Sequence, residues 1–515
     1  MSSDRVLLLV GSDVTADTRV RKGAATLRAA GYDVRVLFTT KDGGDYPSTI
    51  DGIPIEHLDT PTLVVGEQNS QLRRLTGVLR SRGGFALNQD RRRAVHRNKL
   101  HDRAVAARIA RRKHQVRTRA RADHTLGKVL SHALHLMTRV SIRAERARLR
   151  ARRRLLRYRL ARTPAPSAPT SPFQTAGDAP LGRSDVRANW RRRLPDLAAM
   201  DLVFGPRIDD LEPDVIHVHD YHLLPTAAEA VVRGRANGRT MHLIYDAHEF
   251  VRGLTTLHDD RRRAIAGMER RFVRDADAVV TVSDALADRI AADHGLAVRP
   301  TVVLNAPSST PSDARASLSL RAECGLDQRT PLMVYSGNVT PARGVHTLIE
   351  ALTLMEASVH LALVVKDRVR YLEGLLERAA ELDIAHRVHL VPYVSVEEVP
   401  AYLREASVGV HPLLHYPNAE IALPNKIFEY AQARIPVVVS DCQAQAEFVK
   451  QWGFGEVFSA DEPSELAATV TRVLADRERY RAALTDEALS QLSWEGQEAA
   501  LLEVYERLGD RPAEA

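Results

Sequence analysis

The chain has 515 residues, of which 44% are hydrophobic and 27% are charged, the balance of a globular protein. Two cysteines, Cys324 and Cys442, are too few for a disulfide framework. No apolar run approaches the ~18 residues of a spanning helix, and residues 6–10 are too short for the core of a signal peptide. The composition therefore excludes disulfide-stapled secreted proteins and membrane-spanning proteins, and we expect a cytoplasmic chain.

The net charge of +8 conceals two regions of opposite sign. Residues 71–163 hold 29 Lys and Arg against 4 Asp and Glu, whereas the rest of the chain holds 44 basic and 61 acidic residues. Such a block is an element of its own rather than part of an ordinary enzyme surface. We interpret the acidic part as the enzyme-like body and the basic part as an insertion.

The opening of the chain predicts a strand, a helix and a second strand. Residues 6–10 form a continuous apolar run, as in a parallel strand buried on both faces. Helix formers follow over 19–30 and end at Gly31, a common helix stop. Residues 34–38 are the next strand, so a right-handed strand–helix–strand unit is expected.

This alternation stops between about residues 60 and 200. Residues 72–160 are rich in Ala, Leu and Arg and predict two or three long basic helices, and the Pro-rich segment 163–172 predicts a loop or linker. Strands are then predicted at 215–218, 241–245, 278–282 and 302–304, and in a second block at 332–335, 361–365, 388–390, 408–410 and 437–439. Two such blocks predict two doubly wound α/β domains, with a last helix over about 494–508.

Several strand ends carry polar residues at the edge where open α/β sheets bind ligands. In the loop 336–344, glycines would let the backbone approach a phosphate and Arg343 could fork onto its oxygens. In the segment 423–439, Lys426 and Glu429 share one face at the start of a helix, where a cation suits phosphate and a carboxylate suits ribose hydroxyls. The alternatives are an ordinary turn with a solvent-facing arginine, and a surface Lys–Glu pair.

A third group of titratable side chains ends two successive predicted strands. Such groups are hard to bury as plain structure, so their clustering predicts a site. Two histidines also fit a metal, but no third ligand stands at a suitable spacing, so we predict no metal. The group consists of His217, His219, Asp220, Asp246, His248 and Glu249.

In their order and spacing these motifs resemble retaining glycosyltransferases of the GT-B fold, of the large bacterial family 4 type. The resemblance covers about residues 6–60 and 214–508 and leaves the basic insertion unmatched. It rests also on five further motifs: Asp17-Thr18-Arg19-Val20, Gly31-Tyr32-Asp33-Val34, Val280-Thr281-Val282-Ser283, Asn305-Ala306-Pro307 and Ser493-Trp494-Glu495. It implies an α/β chain with two doubly wound, Rossmann-like domains that face a cleft.

The resemblance also implies a domain plan. We expect an N-terminal acceptor-binding domain over residues 1–305, with the long basic helical insertion at about 62–200. A nucleotide-sugar-binding domain would follow over 306–490, and a C-terminal helix within 491–515 would cross back to the N-terminal domain.

By the same resemblance the chain would move a sugar from a nucleotide diphosphate sugar, of the UDP or GDP type, to an acceptor with retained anomeric configuration. The setting would be bacterial polysaccharide, glycolipid or glycoconjugate synthesis, with no cofactor and no required metal, because basic side chains and helix N-termini offset the charge of the leaving diphosphate. The implied residues fall into three sets: His219, Arg343 and Lys426 for catalysis; Gly337, Asn338, Gly344, Lys366, Asn425, Glu429 and Glu420 for the donor; and Asp13, Asp17, Arg19, Asp220, His248 and Glu249 along the acceptor side of the cleft.

Three positions depart from the family pattern. Ile421 stands where the first glutamate of the family's Glu-x7-Glu pair is usual, and Glu420 lies one residue early. Asn338 replaces the common arginine of the phosphate loop, and Lys366 stands in place of a glycine after the second strand of the donor domain. These changes leave open a variant donor site or weakened catalysis.

Three interpretations compete for the basic insertion: contact with an anionic membrane surface where lipid-linked acceptors reside, self-association, and nucleic-acid binding. Phe85 and Tyr158 are the only aromatic residues within 72–160, which disfavours stacking on single-stranded nucleic acid. The acceptor would be lipid-linked, a glycan or a small molecule, and the enzyme would work at the inner face of the membrane. Two alternatives to transfer remain: isomerisation or hydrolysis of a nucleotide sugar, and a catalytically weakened scaffold that docks on membranes.

Overall fold

The computed structural model describes residues 4–40, 44, 46–59, 190–254, 257–309, 311, 314–366 and 368–509. These residues form two α/β domains, each built on one mainly parallel sheet. The predicted basic helices over 72–160 and the Pro-rich segment after them lie outside the described residues. Within the described ranges, no helix has the combination of length and apolarity needed to cross a membrane.

The N-terminal sheet has eight strands in the order β3-β4-β2-β1-β5-β6-β7-β8, and all pairs are parallel except β3–β4. Its strands are β1 (Arg5–Val10), β2 (Asp33–Phe38), β3 (Thr49–Ile50), β4 (Ile53–His57), β5 (Val215–His219), β6 (His242–Ala247), β7 (Ala278–Thr281) and β8 (Thr301–Val302). Its helices are α1 (Thr18–Ala29), α2 (Trp190–Arg193), α3 (Pro195–Leu211), α4 (Leu224–Ala236), α5 (Asp259–Phe272) and α6 (Asp284–His294), with short 3-10 turns at Val251–Gly253 and Val273–Asp275.

The C-terminal sheet has six parallel strands in the order β11-β10-β9-β12-β13-β14. Its strands are β9 (Leu332–Ser336), β10 (His360–Val364), β11 (Val388–Val391), β12 (Val408–His411), β13 (Val437–Ser440) and β14 (Gly455–Phe458). Its helices are α7 (Leu320–Cys324), α8 (Val345–Leu352), α9 (Arg370–Glu381), α10 (Val399–Leu403), α11 (Pro417–Ile421), α12 (Asn425–Gln432), α13 (Gln443–Trp452), α14 (Pro463–Ala475), α15 (Arg477–Ala482) and α16 (Asp486–Gln491), with 3-10 turns at Pro341–Arg343, Ala385–Arg387 and Val396–Glu398. A last helix, α17 (Glu495–Gly509), follows.

The apolar runs become strands because both faces of each sheet are covered. In β1, Leu7 and Leu9 join the core on one face of the sheet, whereas Val6, Leu8 and Val10 join the core on the other. All five are at most 2% exposed. An alternating half-polar strand could not occupy this place, which is why the continuous apolar pattern identified β1.

Two segments cross between the domains. Residues 303–309 lead from β8 towards the C-terminal domain, and α17 returns to pack against α1 and β8. The crossing is tied together by Trp494, whose backbone N–H donates to Pro307 O at 2.8 Å and whose indole N–H donates to Thr26 Oγ1 at 2.9 Å. Helix α1 therefore takes part in the contact between the two domains.

The folded N-terminal domain resumes earlier than the expected end of the insertion at residue 200. Helix α2 and the start of α3 lie within that stretch, and Trp190, Leu197 and Met200 are buried in the domain core. Sequence reasoning also missed the short strands β3 and β4 and the edge strand β14. Edge strands bury less apolar surface, so their sequences carry weaker patterns.

Candidate active site

The carboxyl ends of β5 and β6 carry the predicted histidine cluster. These strands pair in parallel, with His219 directly opposite Asp246. Asp220, immediately after β5, takes a left-handed backbone conformation with φ of 59° and donates its N–H to Asp246 O at 2.9 Å. The turn thereby brings residues from two strand ends into one cluster.

Asp246 is the centre of this cluster and is 2% exposed. Arg19 donates from Nε and from one terminal nitrogen to its two oxygens, at 2.8 and 3.0 Å. Three imidazole nitrogens approach Asp246 Oδ2: His217 Nε2 at 3.7 Å, His219 Nδ1 at 3.4 Å and His248 Nε2 at 3.3 Å. Burial alone would raise the pKa of Asp246, but Arg19 and His248 hold it well below its usual range.

The histidines of the cluster differ in charge. Burial and the neighbouring His219 lower the pKa of His217 to about 4, so this ring is neutral near pH 7. Burial also lowers the pKa of His248, but the carboxylates of Asp220 and Asp246 outweigh it and raise this pKa to about 9. His248 is therefore a cation between two carboxylates.

We expect His248 to make folding stability depend on pH. Its unperturbed pKa is 6.5 and its folded pKa is about 9, so its contribution is complete below pH 6.5 and is lost as the pH rises through 9. The amount is on the order of 2 kcal/mol, because the side chain is mostly buried. Urea unfolding from pH 6 to 9.5 should show this loss in the wild type and a smaller one in His248→Gln, and equal slopes in both proteins would contradict it.

His219 has one ring nitrogen that no described residue engages. Its Nδ1 lies 3.4 Å from Asp246 Oδ2 and 3.3 Å from His248 Nε2, whereas its Nε2 is buried without a hydrogen-bond partner among the described residues. Of its two ring nitrogens, Nε2 is therefore the one left for a ligand. His217, His219 and Asp246 are also close enough for a metal, but Arg19 already occupies both oxygens of Asp246.

The remaining residues predicted for the acceptor side have varied positions. Glu249 is exposed beside the cluster, Asp13 accepts from Thr15 within the first loop, and Asp17 accepts from Val20 N–H as the N-cap of α1. Arg19 differs from expectation: it is 3% exposed and also donates to Val303 O at 2.8 Å. We therefore assign Arg19 to the support beneath the cleft rather than to its wall.

The donor domain presents the predicted phosphate loop after β9. Gly337 has φ of 119°, and a Cβ at this position would stand 2.4 Å from the Lys426 ammonium. Gly344 has φ of 67°, and a Cβ here would stand 1.8 Å from Pro412 O. Both glycines are therefore required, and the first brings Lys426 directly onto the loop.

Three charged side chains on this side lack a hydrogen-bonding partner within the described ranges. The side chains of Arg343, Lys426 and Glu429 make no hydrogen bond or ion pair there, and Glu429 Oε2 is buried without a partner. Burial and nearby Arg343 lower the pKa of Lys426, despite the opposing effect of Glu429. Burial raises the pKa of Glu429, against the effect of Lys426 and Lys22. Unpaired, partly buried charges of this kind indicate a ligand site.

Asn338, Lys366 and Asn425 lie around this loop. Asn338 is exposed and its carbonyl accepts from the Tyr335 hydroxyl at 2.6 Å. Lys366 is exposed just beyond β10, whose Val364 O accepts from Gly337 N–H. Asn425 is the first residue of α12 and lines the cleft between the domains.

Glu420 is placed differently from the donor-binding role predicted for it. One oxygen accepts from His415 Nδ1 at 2.6 Å and the other from Gln443 N–H at 3.0 Å, so the carboxylate holds its own loop. The next residue, Ile421, packs against the N-terminal core, and its carbonyl accepts from Ser283 Oγ at 2.7 Å. Helix α11 is thus a domain contact. His415, Glu420 and Cys442 also lie within metal-binding distance of one another.

A cleft of about 380 Å³ lies near the crossing, and its lining includes Asn425 and Glu429 of the predicted donor set but none of the histidine cluster. Thr18 and Lys22 of α1 line one wall, and Val396, Asn425 and Glu429 line the other. A larger recess of about 490 Å³ lies elsewhere, where β7 and β8 begin, and holds none of the predicted residues. We therefore place the candidate site in the interdomain cleft.

Sequence reasoning gave no site role to Lys22, His411 or Tyr505. The Lys22 ammonium donates to Ala306 O and lies 5.0 Å from the Trp494 ring, and burial lowers its pKa to about 8. His411, at the end of β12, is buried with Nε2 unpartnered, and its pKa falls to about 3 because of burial and Arg343. The position of His411 at a strand end was a usable signal, whereas Lys22 and Tyr505 depend on contacts between distant segments.

Two family models match the two domains. The model described as Glycosyl transferases group 1 matches residues 318–489, and the model described as Glycosyltransferase Family 4 matches residues 160–306. The chain belongs to the group 1, family 4-like glycosyltransferases. Both models describe glycosyltransferases, the class that the sequence motifs predicted.

Curated relatives agree with this family. An uncharacterized glycosyltransferase of Methanocaldococcus jannaschii is 25% identical over 274 residues, which are 51% of this chain and 66% of that protein. A GDP-mannose-dependent alpha-(1-6)-phosphatidylinositol monomannoside mannosyltransferase of Mycolicibacterium smegmatis is 29% identical over 246 residues, which are 46% of this chain and 63% of that protein. The glycosyltransferase thus spans slightly under two thirds of the length of these relatives.

Solved structures confirm the fold. Anabaena HepE in complex with UDP and glucose superimposes on the glycosyltransferase with a TM-score of 0.57 and 14% identity, covering 99% of this chain and 100% of HepE. At this identity the likeness supports the two-domain GT-B architecture alone.

Proposed function

We propose that this glycosyltransferase moves a sugar from a nucleotide diphosphate sugar to an acceptor hydroxyl, with retention at the anomeric carbon. The observation that carries the proposal is the set of unpaired charges Arg343, Lys426 and Glu429 around the phosphate loop. Two cationic side chains lie beside a loop whose glycines let a phosphate approach the backbone, at the carboxyl end of a parallel sheet. This combination suits a diphosphate. Similar proteins bind such groups: one is GDP-mannose-dependent and another was solved with UDP.

The proposed donor pose follows from the chemistry of each group. Glu429 Oε2 is an acceptor without a donor, and the two hydroxyls of a ribose would supply it. Arg343 and Lys426 would hold the diphosphate, so the sugar beyond it would extend towards His219 in the N-terminal domain. Lys366 and the loop backbone around Asn338 would border the phosphates.

In the proposed reaction, the bond between the anomeric carbon and the diphosphate oxygen breaks as the acceptor oxygen attacks from the same face, and the acceptor hydroxyl passes its proton to the departing diphosphate oxygen. Negative charge grows on the leaving diphosphate, and Arg343 and Lys426 stabilise it without reorganisation. A double displacement would need a free carboxylate nucleophile, and Asp246 is held through both oxygens by Arg19. We therefore propose same-face substitution, with basic side chains rather than a required metal as the electrostatic support.

We infer the class of acceptor and the place of action from the sequence. An acceptor that is lipid-linked, a glycan or a small molecule fits an open N-terminal cleft, and the Arg-rich residues 72–160 would hold the enzyme at an anionic inner membrane face. Sedimentation with phosphatidylglycerol vesicles tests this contact, with phosphatidylcholine vesicles as the control; equal sedimentation with both would oppose it.

A thermal-shift panel of the purified full chain against UDP-, GDP-, ADP- and dTDP-sugars, with and without magnesium, tests the proposed function. We expect one nucleotide series to raise Tm by several degrees at saturation, because the ligand binds only the folded state. No shift with any series would refute a nucleotide-sugar site. Turnover of the binding donor without an acceptor product would favour isomerisation or hydrolysis instead.

A further inference from the structure

The terminal helix contributes one hydroxyl group to the buried histidine cluster. Tyr505, on α17, is 3% exposed, and its hydroxyl oxygen lies 2.7 Å from His217 Nδ1. Its ring also packs against Tyr32, with centroids 5.3 Å apart. A helix that follows the donor domain thus reaches into the acceptor domain, directly beside the cluster.

The direction of this hydrogen bond follows from Asp246. His217 Nε2 lies 3.7 Å from Asp246 Oδ2, too far for a hydrogen bond but near enough for the negative charge to favour a proton on that nitrogen. The Nδ1 of the neutral ring then carries a lone pair, to which the Tyr505 hydroxyl donates. Because Nε2 has no hydrogen-bond partner among the described residues, the bond to Tyr505 is the one that fixes the angle of the ring.

The His217 ring in turn packs against one face of the His219 ring. The two imidazole rings are stacked, with centroids 4.5 Å apart and planes 10° from parallel. On another side, His248 meets His219 edge-on at 5.4 Å. Without the Tyr505 hydroxyl, His217 Nδ1 would be a buried acceptor with no donor, so the ring would lose its anchor, turn and open the stack.

We propose that Tyr505 is a positioning residue: its hydroxyl fixes the angle of the His217 ring, and through that ring it holds the His219 imidazole at the transfer site. The inference rests on the proposed function, because it takes His219 to lie beside the transferred sugar. If the proposal holds, the docking of α17 is required for catalysis and also links the two domains.

Tyr505→Phe in the full chain tests the proposal, because it removes the hydroxyl and keeps the ring. We expect kcat to fall about tenfold while the donor KM stays within about twofold, since no donor contact is touched. The acid limb of the kcat profile should also move to higher pH, because a donor to Nδ1 opposes protonation of His217. The charged and titratable groups that face this ring are Asp246, His219, Arg19 and Tyr505.

Thr26→Val is the matched control. It removes the hydroxyl that accepts from Trp494 Nε1 at 2.9 Å and donates to Glu498 Oε1 at 2.7 Å, so it weakens the docking of the same helix without contact to an imidazole. We expect Thr26→Val to lower Tm at least as much as Tyr505→Phe does, yet to keep kcat and the pH profile. An equal loss of kcat in both variants would reduce Tyr505 to a stabilising contact and overturn the proposal.

A double-variant cycle supplies the second test. If Tyr505 acts through His217, then His217→Gln with Tyr505→Phe should be no slower than His217→Gln alone, within about twofold. Effects that multiply would overturn the proposal. The 15N shifts of the labelled histidines separate the two ideas: changed shifts of His219 in Tyr505→Phe support the positioning role even if the transfer assay fails, whereas unchanged His219 shifts refute it.

Discussion

Replacing Arg343 with alanine is expected to lower kcat about a hundredfold, the effect of removing one preorganised donor from a developing anion. Arg343 has no partner among the described residues, and it lies close enough to Lys426 and His411 to shift the pKa of both. Because its guanidinium forms no hydrogen bond or ion pair within the described ranges, its donors are available to the leaving diphosphate. Steady-state kinetics with a saturating donor measure this loss, and the donor KM should change less than kcat does.

Two further variants test whether the loss of kcat comes from the charge and the donor geometry of Arg343. Arg343→Lys keeps the charge but loses the fork of donors, so we expect it to recover part of kcat. Arg329→Ala removes an exposed arginine ahead of β9, at the opposite end of the strand from the phosphate loop, and should match the wild type. A kcat for Arg343→Ala within twofold of the wild type would remove Arg343 from the reaction.

The fold was predictable because buried parallel strands have continuous apolar sequences. Residues 332–336 and 437–440 are completely apolar or nearly so, and each is a central strand of the second sheet. Strand β4 reads Ile-Pro-Ile-Glu-His and pairs at an edge with the two-residue β3, so its pattern was too short and too polar to identify. Helix α2 reads Trp-Arg-Arg-Arg, so its composition resembles that of the insertion and we assigned it there from the sequence.

The candidate site was predictable only where its residues share a motif. His219, Asp220, His248 and Glu249 follow paired strands, so topology brings them together. Pairs of distant segments carry no such signal: Arg19 and Asp246 are 227 residues apart, and His217 and Tyr505 are 288 apart. For Glu420 the motif suggested a role that its contacts do not support. Its sequence position fits the family pattern to within one residue, but its carboxylate accepts hydrogen bonds from His415 and Gln443.

Replacing Glu429 with alanine is expected to raise the donor KM about thirtyfold, or about 2 kcal/mol, the cost of losing charge-assisted hydrogen bonds to a buried carboxylate. Its Oε2 is buried and unpartnered, and Lys22 and Lys426 flank it from the two domains. The carboxylate therefore has capacity for two hydroxyl donors, and the two lysines oppose the rise in pKa that burial causes. The change in kcat should be smaller, because the ribose is remote from the breaking bond.

Deoxynucleotides turn this expectation into a specific test of ribose contact. Loss of the 2′- or 3′-hydroxyl should weaken binding of the cognate nucleoside diphosphate to the wild type by about tenfold, measured by calorimetry, because a buried acceptor is left unpaired. The same loss should be nearly neutral in Glu429→Ala, since the acceptor is already absent. Glu377→Ala, an exposed glutamate on α9 of the same domain, should behave as the wild type does. If Glu429→Ala still discriminates against the deoxynucleotides, the ribose lies elsewhere in the cleft, and Glu429 instead balances the charges of Lys22 and Lys426.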